Sequence, residues 1–128
     1  IGGDDLFITY MDAPTSDPIG GLDGYYYFGT DYDDVGSQMI LNPDNTLTGC
    51  GASKTVNTTE GSNLMIFKTT RNNTLDWIET YGGTSSSDDV AQSIALTQDG
   101  GFLIGGTAYV DLNPMICLLK TNSNGELK

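Results

Sequence analysis

The sequence predicts an all-β chain assembled from four-stranded antiparallel units, and three observations carry that prediction. The stretch "FGTDYDDVGSQMILNPDNTLTGCGAS" returns later as "GGTSSSDDVAQSIALTQDGGFLIGGTAY", so the chain contains an internal repeat. Short apolar runs alternate with Asn, Asp, Gly and Pro, the residues of turns. No stretch sustains a helical period.

The repeat is regular enough to number. Asp33, Asp34 and Val35 fall on Asp88, Asp89 and Val90 at an offset of 55; Leu47 falls on Phe102 and Gly51 on Gly106 at the same offset. Lys68-Thr69 falls on Lys120-Thr121 at 52, after a deletion in a polar loop. Periods near 50 residues belong to propellers, solenoids and arrays.

Each period holds the strands in order. "VGSQMILN" is the first, the turn "NPDN" follows, and "TLTGCGAS" is the second. The polar loop "KTVNTTEGS" leads to "NLMIFKTT", then "RNN" to "LDWIETYGG". The next unit reads "VAQSIALT", "QDGG", "FLIGGTAY", the loop "VDLNP", "MICLLKTN", "SNG" and "ELK". At the N-terminus "DDLFITYMD" resembles the third strand and "GYYYFGTDYDD" the fourth, although Asp23 stands where the full unit has Trp77. The chain is therefore one repeat domain over residues 1–128. It holds a partial unit over about 1–30, a full unit over about 31–84 and a partial unit over about 85–128.

In "LMIF", Leu64 and Ile66 share one face and Met65 and Phe67 the other, and "FLI" and "MICLL" follow the same rule. Strands apolar on both faces are expected to be buried on both. The pairs Gly82-Gly83, Gly100-Gly101 and Gly105-Gly106 mark tight turns and close backbone approach. Four-stranded sheets stacked face to face are propeller-type blades, here about two and a half of them.

The residues Trp77, Gly82, Gly83, Asp88, Asp89, Asp99, Gly100, Gly101, Phe102, Lys120 and Gly125 resemble the Gly- and Asp-rich β-propeller repeats of surface and secreted proteins. Those repeats place an aromatic and Gly-Gly before an Asp-Asp step, then Asp-Gly-Gly and an aromatic, and close on a Lys-containing strand. The resemblance spans nearly the whole chain and implies the fold; it implies little about activity. The first unit departs from the pattern, with Asn45-Thr46 in place of Gly-Gly. A closed propeller has four to eight blades, more than this chain supplies.

Composition narrows the function. The chain has 17 acids, 5 bases, no His and a formal charge of −12, and residues 1–53 contain no Lys or Arg. Such a surface repels phosphate backbones, which excludes nucleic acid as a partner, and no segment is long and apolar enough for insertion into a membrane as a helix. Without His the commonest general base is missing, and no nucleophile, zinc or phosphate motif is present. None of the 14 aspartates is singled out as half of a glycosidase pair. The chain is read as no enzyme, with no catalytic residue.

The remaining candidates are few. Asp33, Asp34, Asp88 and Asp89 recur in each unit; they read first as carboxylates that accept backbone N–H groups, and second as a calcium site, which would be the chain's one cofactor. Tyr25, Tyr26, Tyr27 and Phe28 read as packing, with carbohydrate stacking as the alternative. Lys68 and Lys120 recur as residues with buried stems. Cys50 and Cys117 read as buried thiols; spacing alone does not decide whether they are bridged. Asn57 and Asn72 head N-glycosylation sequons, used if the protein is secreted.

Together these features predict an extracellular or cell-surface structural protein. Its incomplete units pair head-to-tail with copies of itself, forming a filament or array. The alternative is a fragment of a larger β-propeller that acts as an adhesion or ligand-binding module.

Overall fold

The computed structural model describes residues 6–11, 22–54, 61–82 and 86–128, and for 6–11 and 22–28 the backbone alone. The described residues form nine strands and no helix. β1 (Leu6–Met11) pairs with β2 (Leu22–Phe28) as a hairpin. β3 (Asp34–Leu41), β4 (Leu47–Ser53), β5 (Asn63–Thr69) and β6 (Leu75–Tyr81) form a four-stranded antiparallel meander. β7 (Val90–Leu96), β8 (Phe102–Val110) and β9 (Asn113–Thr121) form a three-stranded one. Every strand read from the sequence is present, and the closing "ELK" contributes one rung, Leu127 opposite Thr121.

Four hairpins share one turn. In each, a residue's N–H donates to the carbonyl four positions on, and its own carbonyl accepts the N–H three positions on: Asn42 with Thr46 and Asn45, Thr70 with Thr74 and Asn73, Thr97 with Gly101 and Gly100, Asn122 with Glu126 and Gly125. The fourth residue is left-handed in all of them: Asn45 (φ 63°), Asn73 (62°), Gly100 (78°) and Gly125 (84°). This is the three-residue hairpin loop that ends in a left-handed bulge position. Asn tolerates that conformation better than other non-glycine residues, so Asn45 performs the turn that Gly100 performs one repeat later.

The units also share a bulge. The register shifts between Gly36 and Gln38 in β3, and between Ala91 and Ser93 in β7. Opposite each bulge a glycine lets the backbones close. A Cβ on Gly51 would lie 1.8 Å from the Val35 carbonyl oxygen, and one on Gly106 would lie 2.1 Å from that of Val90. The extra residue rephases the strand, so Ala91 and Ile94, three apart, both face inward and are buried.

The two larger sheets pack face to face. β7 lies against β3, β4 and β5. Cys50, Leu64 and Ile66 of one sheet form a core with Ala91, Ile94, Phe102 and Ile104 of the other. Burying each of the larger side chains contributes about 1.5–3 kcal/mol. Trp77 closes the cluster against Phe102, ring centroids 6.3 Å apart and tilted by 56°, a favourable edge-to-face-like geometry. The Gln38 side-chain oxygen accepts the Ile94 N–H across the interface at 2.8 Å.

Two expectations need correction. Residues 110–114 were expected to be a loop, but Val110, Asn113 and Pro114 extend the strands and only Asp111-Leu112 turn, with φ of 50° and 63°. The β5 strand is buried on both faces as expected, but β9 is not. Ile116 is 95% exposed and Leu118 68%, with Leu103 beside them partly open. Within the described fold no sheet covers that side of the three-stranded sheet.

Two substitutions test the backbone account. Gly106→Ala should destabilise the fold by about 2–3 kcal/mol in urea titrations, because its Cβ meets fixed backbone; Gly105→Ala, whose Cβ meets only the Ser93 hydroxyl at 2.9 Å, should cost clearly less. Equal losses would refute the close-approach explanation. Leu112→Gly, which places Asp-Gly in the two-residue turn, should raise stability by about 0.5–1 kcal/mol, read as a higher midpoint.

Candidate functional site

The repeated aspartates sit where the sheets are stitched to their loops. Asp34 is buried, and its carboxylate accepts the Thr30 N–H at 2.6 Å and the Thr30 hydroxyl at 3.3 Å. That hydroxyl lies 3.2 Å from the Ser53 Oγ. Asp89, also buried, accepts the Tyr109 N–H at 2.7 Å, and its own N–H donates to the Ser62 carbonyl at 2.7 Å. Asp88 accepts the Ser62 N–H at 2.9 Å and its hydroxyl at 3.2 Å. Asp33 pairs with the Lys54 ammonium at 3.5 Å. Asp34, Asp88 and Asp89 are thus carboxylates holding backbone donors, while Asp33 holds a lysine. Among the described residues no three acidic or thiol side chains converge as a metal cluster would require.

A second recurring constellation was only half legible. Lys68 and Lys120 were singled out, and Asp99 as part of the resemblance, but Asp44 was not and neither pairing was read: Lys68 lies 3.8 Å from Asp44 and Lys120 2.9 Å from Asp99. The signal was available, because Asp44 and Asp99 are separated by the same 55 residues as the other repeat positions. Each carboxylate also accepts from its own turn. Asp44 takes the Thr46 hydroxyl and N–H, and Asp99 the Thr97 hydroxyl and the Gly101 N–H. Lys128 adds a further contact to Asp99 at 2.7 Å. These donors, Lys128 foremost and then Thr97 and Lys120, hold Asp99 well below the usual carboxylate range. Asp44 is lowered chiefly by Thr46. Between these turns lies a cavity of about 260 Å³, bordered by Asn42, Asp44, Lys68, Leu96, Phe102 and Ser123.

The thiols are free. Cys50 is buried and Cys117 half-buried, both against the inter-sheet core. Burial pushes Cys50 up to about 11, and burial and the Asp89 charge raise Cys117. Neither is a thiolate at neutral pH, so neither is poised as a nucleophile. Asn72 is exposed at the tip of the β5–β6 hairpin, where its N–H donates to the Thr70 hydroxyl at 3.3 Å. Asn57, Gly83 and the side chains of Tyr25–Phe28 lie outside the described residues.

The exposed face of the three-stranded sheet is the surface that the sequence did not reveal. Ile116 and Leu118 stand at the positions of Leu64 and Ile66 one repeat earlier, which are 3% and 0% exposed. Gly105 stands at the position of buried Cys50. The face that seals the core in one unit is thus presented to solvent in the next.

Compared with known proteins, the chain matches no family model and no curated sequence.

The turn carboxylates fix a pH dependence. A carboxylate whose folded pKa is depressed contributes stability above its unfolded pKa and loses it as pH falls through the folded value. Thermal midpoints should therefore fall as pH drops below the ordinary aspartate value of 3.8. Asp99→Asn should flatten that decline, and an unchanged acid profile in this variant would remove Asp99 from the account.

Proposed function

We propose that this chain is a non-enzymatic structural protein whose sheets are propeller-type blades and whose units stack head-to-tail with further copies. The observation that carries the reading is the outward face of β8 and β9. Ile116 and Leu118, exposed here, occupy the positions at which Leu64 and Ile66 are covered by β7. A face of this pattern, with Gly105 keeping it flat, suits another sheet of the same repeat. The covering surface is of a different kind from the covered one, so the contact is heterologous and propagates unless rotation closes it.

The working place of such an array is outside the cell. The net charge of −12 and the exposed sequon at Asn72 support that localisation, as they support a soluble, glycan-bearing surface. A second reading makes these units part of a larger β-propeller, an adhesion or ligand-binding module with carbohydrate among its ligands. The rung between Thr121 and Leu127, which repeats the pairing of Thr69 with Leu75 in the four-stranded sheet, supports it.

Sedimentation velocity over a micromolar concentration series, with negative-stain imaging of the same samples, tests the first reading. The wild-type chain should associate with rising concentration into regular fibres or arrays. The double variant Ile116→Asp, Leu118→Asp should remain monomeric with unchanged circular dichroism. A wild-type chain that stays monomeric throughout overturns the self-assembly reading.

A further inference from the structure

We propose that the cavity bordered by Asn42, Lys68, Phe102 and Ser123 binds a neutral sugar ring, held by the Asn42 side-chain oxygen and the Lys68 ammonium. The inference rests on the reading of these units as a ligand-binding module with carbohydrate among its ligands, and it gives that ligand a place.

The repeat builds one constellation twice and closes it once. Asn42 and Asp44 correspond to Thr97 and Asp99 at the offset of 55, and Lys68 to Lys120 at 52. The Lys120 ammonium uses all three of its donors: it reaches the Thr97 hydroxyl at 2.9 Å, Asp99 at 2.9 Å and the Thr121 carbonyl at 2.8 Å. Lys68 has no such set. Among the described residues its one polar partner is Asp44 at 3.8 Å, near enough for charge but too far for a hydrogen bond. Yet the Lys68 side chain is the more buried of the two, 17% exposed against 31%.

The difference lies at Asn42. Thr46 gives its hydroxyl proton to Asp44 at 2.6 Å, so toward Asn42 it accepts. The Asn42 amide nitrogen therefore turns to Thr46, at 2.9 Å, and to the Thr48 hydroxyl, at 2.7 Å. The oxygen of the same amide is left with no partner among the described residues, although Asn42 is only 5% exposed. Buried polar atoms without a partner are few in folded proteins. Where Thr97 closes the lysine site of one unit, Asn42 thus leaves an unmet acceptor and an unmet donor at the border of one cavity.

The cavity selects the chemistry of its ligand. Its volume is about 260 Å³, below the range of drug-sized pockets and suited to a single small ring. Its border already holds one anion and one cation, Asp44 and Lys68, so a ligand with net charge of either sign meets its like. Leu96 and Phe102 bring apolar surface from the other sheet. The ligand must offer a hydroxyl that donates to Asn42, an oxygen that accepts from Lys68 and a C–H face for the apolar wall. A pyranose has all three, because each of its hydroxyls both donates and accepts.

Glucose, galactose, mannose and N-acetylglucosamine, each as the free sugar and as its methyl glycoside, are titrated singly into the isotope-labelled full chain below its self-association concentration. At least one should give saturable amide shifts at Asp44, Gly100 and Ser123, with a dissociation constant on the order of 1 mM, ordinary for so small a ligand. Affinity retained in the methyl glycoside assigns the end of a glycan as the source, and affinity confined to the free sugar assigns a soluble one; both support the site. Asn42→Thr, which installs the residue of the closed constellation, should weaken binding by about tenfold while circular dichroism stays unchanged. Lys68→Met keeps the buried stem and should weaken binding likewise, so it decides the matter if Asn42→Thr does not fold. Thr97→Ser, in the closed constellation, should leave binding as it is. No saturable shift with any sugar, or undiminished binding in both Asn42→Thr and Lys68→Met, overturns the site. Undiminished binding in both variants places the sugar elsewhere and spares the module reading. Absence of shifts together with a silent glycan array for the wild-type chain removes carbohydrate from that reading as well.

Discussion

One extra residue in the first strand of each unit organises the rest. The bulges at β3 and β7 rotate the following residues by one step of the pleat. Without the shift between Ala91 and Ser93, Ala91 and Ile94 would point to opposite faces, and the sheet could not present both to Leu64 and Ile66. The bulge in turn demands glycine on the neighbouring strand, because the Val35 and Val90 carbonyls occupy the space of a side chain at Gly51 and Gly106. It also brings Gln38 to the Ile94 amide, a polar contact that fixes how the sheets slide. A local backbone irregularity thus sets the register of a face-to-face interface.

Much of this was legible because the repeat writes it twice. Strand order, the glycines and the acid pairs all follow from residues recurring at offsets of 55 and 52. The hairpins were legible as turns, but not as one turn used four times, because Asn45 and Asn73 do with a side chain what Gly100 and Gly125 do without one. Residues 110–114 misled for a related reason. Leu112 is an unusual choice for a left-handed position, so nothing in the sequence marks the two-residue turn, and Pro114 argues against a strand until the strand is known to be an edge. The exposure of Ile116 was illegible in principle. The pattern of "MICLL" states that both faces are apolar, not that both are covered.

The same logic separates site from scaffold. Asp34 and Asp89 spend their oxygens on the amides of Thr30 and Tyr109, and Asp44 and Asp99 spend theirs on turn donors and on Lys68 and Lys120. These carboxylates are already engaged by bonds that hold the loops and turns of the repeat in place. Both thiols are held protonated by burial. Among the described residues, the face of Ile116 and Leu118 is apolar area that the sheets do not cover, and it is on this area that the proposed association rests.

Charge bears on the direction of the proposed association. Residues 1–53 hold nine acids and no base, whereas residues 54–128 hold eight acids and all five bases. Two N-terminal halves brought together repel most strongly, and at physiological ionic strength the repulsion is felt over roughly 8 Å, the scale of a stacked interface. In the proposed array, charge therefore disfavours head-to-head contact. Between the two arrangements that remain, shape decides. The face carrying Leu64 and Ile66 is covered by a surface of the opposite kind, the inward side of Ala91, Ile94, Phe102 and Ile104. Ile116 and Leu118 repeat the first pattern and so call for the second. A symmetric pairing of two such faces would set like against like and would forgo the bulge-set fit that the molecule already contains. The proposed head-to-tail stacking would repeat a contact the chain has solved once within itself, between the faces of Leu64 and Ile66 and of Ala91 and Ile94.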